Sequence, residues 1–234
     1  RTKVKLFLSM SFSSSKQINW LLTGTLFAAL WASASTATKI GLTVAQPLVI
    51  AVVRFAMASA IMLFIAHFIN KQRMPAGKEW KQLIIYGLLN ITIYLGLYVV
   101  AMQKVTAGIG ALAVATNPVF ISFLSVFFLN RKITTPVILS IIICTAGVIC
   151  AAWPLLAEAT VTSKGLLVLL LSMLSYSVGA IYFSSKQWNG LSLFTINGWQ
   201  TLLGGLFLLP FTLLFYKSQA NNFDKTFWLS VGWL

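Results

Sequence analysis

Apolar residues in this chain come in long blocks, and short polar clusters separate the blocks. A block of about 20 apolar residues wound as a helix matches a hydrocarbon layer about 30 Å thick. The blocks of that length are Ile18 to Thr38, Pro47 to Ile69, Leu83 to Ala101, Thr106 to Leu129, Pro136 to Trp153-Pro154, Gly165 to Phe183 and Phe194 to Tyr216. A further apolar run begins at Phe227 and stops at Leu234. The pattern predicts an all-α polytopic membrane protein with seven spans and the start of an eighth. Residues 1–17 carry Arg1, Lys3, Lys5 and Lys16 around a Ser-rich segment and read as a basic cytoplasmic tail. A signal-peptide reading of the first block competes, because Ala32-Ser33-Ala34 resembles a cleavage site. Against it, the apolar run continues past that point and equally apolar blocks follow.

The stretch 86–132 reads as two apolar helices joined at Gln103-Lys104, and the second carries Asn117-Pro118 near its middle. Proline removes one backbone donor and displaces the carbonyl four residues earlier, that of Val114 if the run continues upstream as helix. A freed carbonyl inside a membrane is tolerated where it faces protein or a water-filled cavity. A simple kink is the alternative reading, since membrane helices accept proline more readily than soluble ones. Small residues before the break, from Ala107 to Ala115, let a neighbouring backbone approach closely. Gly108, Gly110 and Pro118 are the expected hinge positions. The run Gly108-Ile109-Gly110-Ala111-Leu112-Ala113 also fits a dinucleotide fingerprint, but no βαβ context surrounds it and the match is a false positive.

Composition narrows the chemistry. With 59% hydrophobic and 9% charged residues, the chain lies far outside the range of soluble domains. The net charge of +14 does not point to nucleic acid, because the cations lie in short clusters between apolar blocks, where cytoplasmic membrane loops carry them. With the amino terminus inside, the inner side collects Arg1, Lys3, Lys5, Lys16, Lys71, Arg73, Lys78, Lys81, Arg131, Lys132 and Lys186. The outer side is left with Lys39, Lys104, Lys164, Lys217 and Lys225, and this bias favours a cytoplasmic amino terminus. Cys144 and Cys150 sit six apart on one helix, pointing about 120° from one another, so they share neither a metal nor a bridge. One histidine and three acids leave almost nothing from which to build a metal site or a soluble-style acid–base pair. No metal or cofactor is expected.

Sliding the sequence by 145 residues brings Trp31 onto Tyr176, Ala34 onto Gly179, Pro47 onto Ser192 and Arg54 onto Trp199, and superposes the first two spans on the sixth and seventh. Five spans separate the copies, so the second enters the membrane from the opposite face. The expectation is an inverted-repeat 5+5 transmembrane helix bundle, here truncated in the eighth helix, with a substrate site at the repeat interface. The pattern Trp31…Lys39…Pro47…Arg54, then Tyr98…Gly108…Gly110…Asn117-Pro118…Asn130-Arg131 and Gly147-Val148, resembles the first repeat of the EamA family in the drug/metabolite transporter superfamily. Gly165…Tyr176…Trp199-Gln200 is similar to the opening of its second repeat. The resemblance implies ten helices in two inverted five-helix repeats, cytoplasmic termini and movement of small metabolites, often outward. Residues 18–153 would form the first repeat and 165–234 an incomplete second one. Many relatives carry Glu-Arg at the end of span four, where this chain has Asn130-Arg131, so a role for that Glu does not carry over.

Thr23, Phe27, Trp31, Ser35 and Thr38 share a stripe of span one. Ser172, Tyr176, Gly179 and Phe183 share one of span six, with Ser175 and Tyr182 alongside. Such stripes suit either a path for a partly polar solute or helix packing through small and hydroxyl residues. In span three, Asn90, Tyr94 and Tyr98 recur at steps of four and are expected to face the bundle, because an amide and two phenols facing lipid are costly. Arg54, roughly 10 Å along the helix from Pro47, has no Asp or Glu within any complete span to pair with. It either makes an outward-facing vestibule attractive to anions, with Lys39 as a second cation, or snorkels to the surface as a structural arginine. The expected substrate-binding residues are therefore Trp31, Ser35, Arg54, Asn90, Tyr94, Tyr98, Asn117, Tyr176, Trp199 and Gln200. His67, near the cytoplasmic end of span two, is the one group titrating near neutrality, and no proton relay is expected in this portion.

These features lead to a secondary transporter that moves a small organic solute, amino-acid-like or otherwise amphipathic, out across the inner membrane by alternating access. Its partners are that solute and membrane lipid, not nucleic acid. A lipid-modifying membrane enzyme would show a His, Asp or Glu cluster near one interface, and the sequence has none. A non-transporting scaffold or receptor would lack a continuous polar path between spans one, three, four and six.

Overall fold

The computed structural model describes residues 14–129, 134–158 and 162–234; the basic tail up to residue 13 and the Asn130-Arg131-Lys132 cluster lie outside them. Every regular element among the described residues is helical: α1 (Ser14–Gly41), α2 (Pro47–Phe64), α3 (Lys78–Gly87), α4 (Tyr94–Ala101), α5 (Ala107–Ala115), α6 (Asn117–Leu129), α7 (Thr135–Glu158), α8 (Ser163–Ser185), α9 (Leu193–Leu214) and α10 (Lys225–Trp233). Two π-helical segments interrupt the spans. Ile65–Ile69 continues α2, and Leu88–Ile93 joins α3 to α4.

Four continuous helical stretches are long and apolar enough to cross a membrane: Pro47–Ile69, Lys78–Ala101, Ala107–Leu129 and Ser163–Ser185. The other expected spans are helical as well. They correspond to α1, α7 and α9 at 28, 24 and 22 residues. Polar Asn197 and Gln200 dilute the hydropathy of α9, as they would in any span that keeps hydrogen-bonding groups for the bundle interior.

Local chemistry explains where the helices start. Pro47 opens α2, where its missing N–H removes no helical bond. Side-chain oxygens cap the others: Thr106 accepts from the Ile109 amide, Thr162 from Gly165, Ser192 from Thr195 and Asp224 from Phe227. Each satisfies one orphan donor at the start of its helix. The break at Asn117-Pro118 appears as a single turn residue, Thr116, between α5 and α6. Here one expectation is corrected. The Ala113 and Val114 carbonyls both accept backbone N–H groups at the end of α5, so the carbonyl expected to be freed by Pro118 is satisfied. The chain absorbs the proline by ending one helix and starting another.

Two compact units divide the chain at Ala34/Ser35. Within the first, the Thr23 hydroxyl donates to the Asn19 carbonyl at 2.8 Å, and the Phe27 and Trp31 rings lie 5.0 Å apart. The second, Ser35–Leu234, holds the core. Its centre is formed by Ala51 and Phe55 of α2, Tyr94, Tyr98 and Val99 of α4, Ile109 of α5, Leu169 and Met173 of α8 and Leu208 of α9.

Glycines bring α9 close to its neighbours. A Cβ on Gly87 would lie 2.7 Å from the Gln200 carbonyl oxygen, and one on Gly204 would lie 2.7 Å from the Gly87 carbonyl and collide with Ile91. A Cβ on Gly198 would meet Leu63 of α2 at 2.8 Å. Apolar side chains gain little by leaving lipid for one another, so such backbone-to-backbone approach supplies the packing.

Candidate functional site

A polar and aromatic cluster lies against this core. The first residue of the second unit, Ser35, is buried, and its hydroxyl pairs with that of Tyr98 at 2.8 Å. One turn earlier on the same face of α4, Tyr94 stands with its ring 6.3 Å from Tyr98 and 4.8 Å from Tyr176 of α8. The Tyr94 side chain is only 6% exposed, and neither its hydroxyl nor that of Tyr176 has a hydrogen-bond partner among the described residues. Arg54 of α2 lies within electrostatic reach of Tyr94 and Tyr98. Its guanidinium sits over the ring of its neighbour Phe55, 5.6 Å from the centroid. Among the described residues it has no ion pair and no hydrogen bond.

The π-helical turn prepares the neighbouring polar group. Asn90 lies in it and donates from Nδ2 to Gln200 Oε1 at 3.2 Å, and Gln200 donates to Asn197 Oδ1 at 2.6 Å. Thr92 in the same segment donates to the Gly204 carbonyl at 2.8 Å, while Ser175 donates to Leu89 at 2.8 Å. A π-turn shifts side chains out of α register and leaves carbonyls open to such cross-helix bonds. Gly179 lets α8 approach, its virtual Cβ 3.6 Å from that of Asn90.

The remaining expected residues are placed as follows. Trp31 is exposed, its ring tilted at 55° to that of Phe27. Lys39 falls in the last turn of α1. Trp199 donates from Nε1 to His67 Nε2 at 3.1 Å and meets Trp80 edge-on at 4.8 Å, within an aromatic cluster that also holds Tyr86, Phe183 and Trp188. Asn117 is buried, and its Oδ1 has no hydrogen-bond partner among the described residues. Pro118 lines a cavity of about 380 Å3 between α6 and α7, with Ser122, Ser140 and Cys144 on its walls. Gly108 is half-buried in α5, and Gly110 is a contact glycine, its Cβ position occupied by Met102 and lying 3.2 Å from the Tyr98 hydroxyl.

Two polar networks have no counterpart in the sequence reading. Gln46 uses its whole amide: Nε2 donates to the Phe215 carbonyl at 2.9 Å, while Oε1 accepts from the Lys217 amide at 2.8 Å and Asn221 Nδ2 at 2.9 Å. Beside it, a cavity of about 360 Å3 is lined by Leu48, Gln103 and Thr212 among others. At the opposite end of α2, Arg73 grips both oxygens of Glu79 at 2.7 and 2.8 Å and donates to the Asn189 carbonyl at 2.8 Å. Hydrogen bonding to Glu79 raises the Arg73 guanidinium above its usual range. A polar residue beside a proline, and an Arg six residues before a Glu, were the only marks these networks left in the sequence.

The model of the EamA-like transporter family matches residues 18–153, more than half of the chain. Among curated relatives, the chain is 28% identical over 195 residues to a Bacillus subtilis protein named "Uncharacterized transporter YoaV", covering 80% of this chain and 64% of that protein. It is 25% identical over 188 residues to "Protein PecM" of Dickeya dadantii, covering 79% and 60%. It is 27% identical over 210 residues to an uncharacterized transporter of Buchnera aphidicola subsp. Schlechtendalia chinensis, covering 86% and 67%. The chain thus spans somewhat under two thirds of the length of the first two relatives.

Proposed function

The chain belongs to the EamA-like transporter family, a family of membrane transporters and not of enzymes, and from that membership we propose that it moves a small organic metabolite across the membrane by alternating access. The observation that carries this reading is the cluster of Ser35, Arg54, Tyr94, Tyr98 and Tyr176, drawn together from four helices. Hydroxyls, a guanidinium and aromatic faces are what a partly polar solute needs in exchange for its water. The Tyr94 and Tyr176 hydroxyls have no hydrogen-bond partner among the described residues, which leaves both able to bond a solute.

In this proposal Asn90, Gln200, Asn117 and Trp199 complete the path, Trp31 is a separate candidate for solute contact, and Gly108, Gly110 and Pro118 take up the change of shape between α5 and α6. Residues 18–153 form one five-helix half, and residues from 165 begin its inverted counterpart. The solute is amino-acid-like or otherwise amphipathic, and it leaves the cell through the inner membrane, with the amino terminus cytoplasmic. The distribution of cations supports that orientation. The test is a solute survey with the full-length protein in proteoliposomes, comparing wild type with Trp31→Ala and Arg54→Leu. Saturable flux reduced in both variants supports the proposal; unchanged flux in both means that neither residue serves the solute.

A further inference from the structure

We infer that the solute held by this cluster is an organic monocarboxylate, its carboxylate paired with the Arg54 guanidinium and its remaining acceptor sites met by the Tyr94 and Tyr98 hydroxyls. The inference rests on the transport reading above and names the substrate class of that same site.

Charge accounting carries it. The sequence has three acids, Glu79, Glu158 and Asp224. Glu79 is taken up by Arg73, the Ala76 amide and Asn189. Asp224 caps α10 and accepts from Asn222. Glu158, at the end of α7, lies outside the residues whose side chains are described. No described carboxylate therefore serves Arg54. A guanidinium in a spanning helix stays expensive until an anion, carbonyls or water compensate it.

The hydrogen-bonding character of the site points the same way. Arg54 is a donor only. Among the described residues the Tyr94 hydroxyl has no hydrogen-bond partner, and that of Tyr98 shares one bond with Ser35. A pocket rich in donors complements a group that only accepts, and an ionised carboxylate is such a group. With a single cation in the cluster the match is to one negative charge; a phosphate monoester, at roughly −2, would bring an excess. The Tyr94 and Tyr176 rings, 4.8 Å apart, give the rest of the solute apolar faces to lie against.

Thermal stabilisation of the purified full-length protein tests this with matched probes: 3-phenylpropionate and indole-3-acetate against their amides and the corresponding amines. In the wild type, the carboxylates should stabilise at concentrations roughly 10- to 100-fold lower than the amides or amines, the range of one charge-assisted pair. Arg54→Gln should lose that preference and Arg54→Lys keep part of it, while Tyr94→Phe weakens the carboxylates several-fold and leaves the amines unchanged. Amides or amines binding as tightly as carboxylates to the wild type would overturn the inference, whether or not the variants fold. So would a folded Arg54→Gln that keeps the preference, the result expected of a snorkelled arginine or of one paired with an acid elsewhere in the full-length protein. Proteoliposome flux separates the two readings. If amines or neutral solutes cross saturably and carboxylates neither bind nor compete, the substrate class fails and transport stands. If carboxylates bind but nothing crosses saturably, transport fails and the site assignment stands.

Discussion

The Trp199 indole N–H donates to His67 Nε2 at 3.1 Å, while His67 Nδ1 lies 3.0 Å from the Gln72 carbonyl. An indole only donates and a carbonyl only accepts, so together they assign the neutral imidazole with its proton on Nδ1. Both ring nitrogens are occupied by fixed partners, leaving neither for a travelling proton. Flux through the full-length protein is expected to be independent of His67 in its pH profile. A steep pH dependence abolished by His67→Ala, measured as uptake rate against pH in proteoliposomes, would contradict this.

Trp199→Phe keeps a ring against Trp80 but removes the donor to His67. The expected loss is about 1 kcal/mol, the net value of one hydrogen bond, read as a lower unfolding temperature in detergent. His67→Phe also removes the bond to the Gln72 carbonyl and should lose more, and the double variant less than the sum, because both remove the bond between the two rings.

Gly204→Ala should be worse than either. Its Cβ would meet Ile91 and, at 2.7 Å, the backbone carbonyl of Gly87, and a backbone cannot rotate away. Overpacking of this kind costs about 1–3 kcal/mol. Gly147→Ala in α7, where nothing lies within 4 Å, serves as the control and should be neutral or slightly stabilising. Paired unfolding curves of the two variants give the comparison.

The long blocks made the helices legible: Pro47, Ala101 and Leu129 bound observed elements where hydropathy alone put them. Local propensity could also be read, as at the hydroxyl caps Thr106 and Ser192. The site was legible only as a set of residue types. Ser35 and Tyr98 stand 63 residues apart and Asn90 and Gln200 stand 110 apart, and one-dimensional periodicity says which face a residue occupies, not which face it meets. The π-turn at Leu88–Ile93 left no mark either, because it arises where cross-helix bonds such as Thr92 to Gly204 compete with the helix's own ladder. The 145-residue offset sets Trp199 opposite Arg54 in sequence, whereas in space its nitrogen is taken by His67.

Glu79→Gln tests the clasp between the α2–α3 and α8–α9 connections. The neutral amide cannot accept from both Arg73 nitrogens, the Ala76 amide and Asn189 as the carboxylate does. Arg73 is 44% exposed, so global stability should change little. The local effect is the readout: faster hydrogen exchange at the Ala76 amide, with exchange in α9 unaltered. Unchanged exchange at Ala76 would mean that the clasp does not order the connection.

The Ser35–Tyr98 pair should show coupling in a double-mutant cycle. Ser35→Ala and Tyr98→Phe each leave one buried hydroxyl without its partner, and the interaction energy is expected at about 1 kcal/mol.

The central claim, that the cluster around Tyr94 and Tyr176 lies on a water-accessible path, is tested most directly by cysteine labelling. In a full-length background carrying Cys144→Ser and Cys150→Ser, with any further cysteines likewise replaced, Tyr176→Cys is compared with Leu174→Cys, which replaces an exposed leucine on the same helix. A membrane-impermeant thiol reagent should modify Tyr176→Cys from at least one side of sealed vesicles and leave Leu174→Cys unmodified. Equal inertness of the two cysteines would contradict the account.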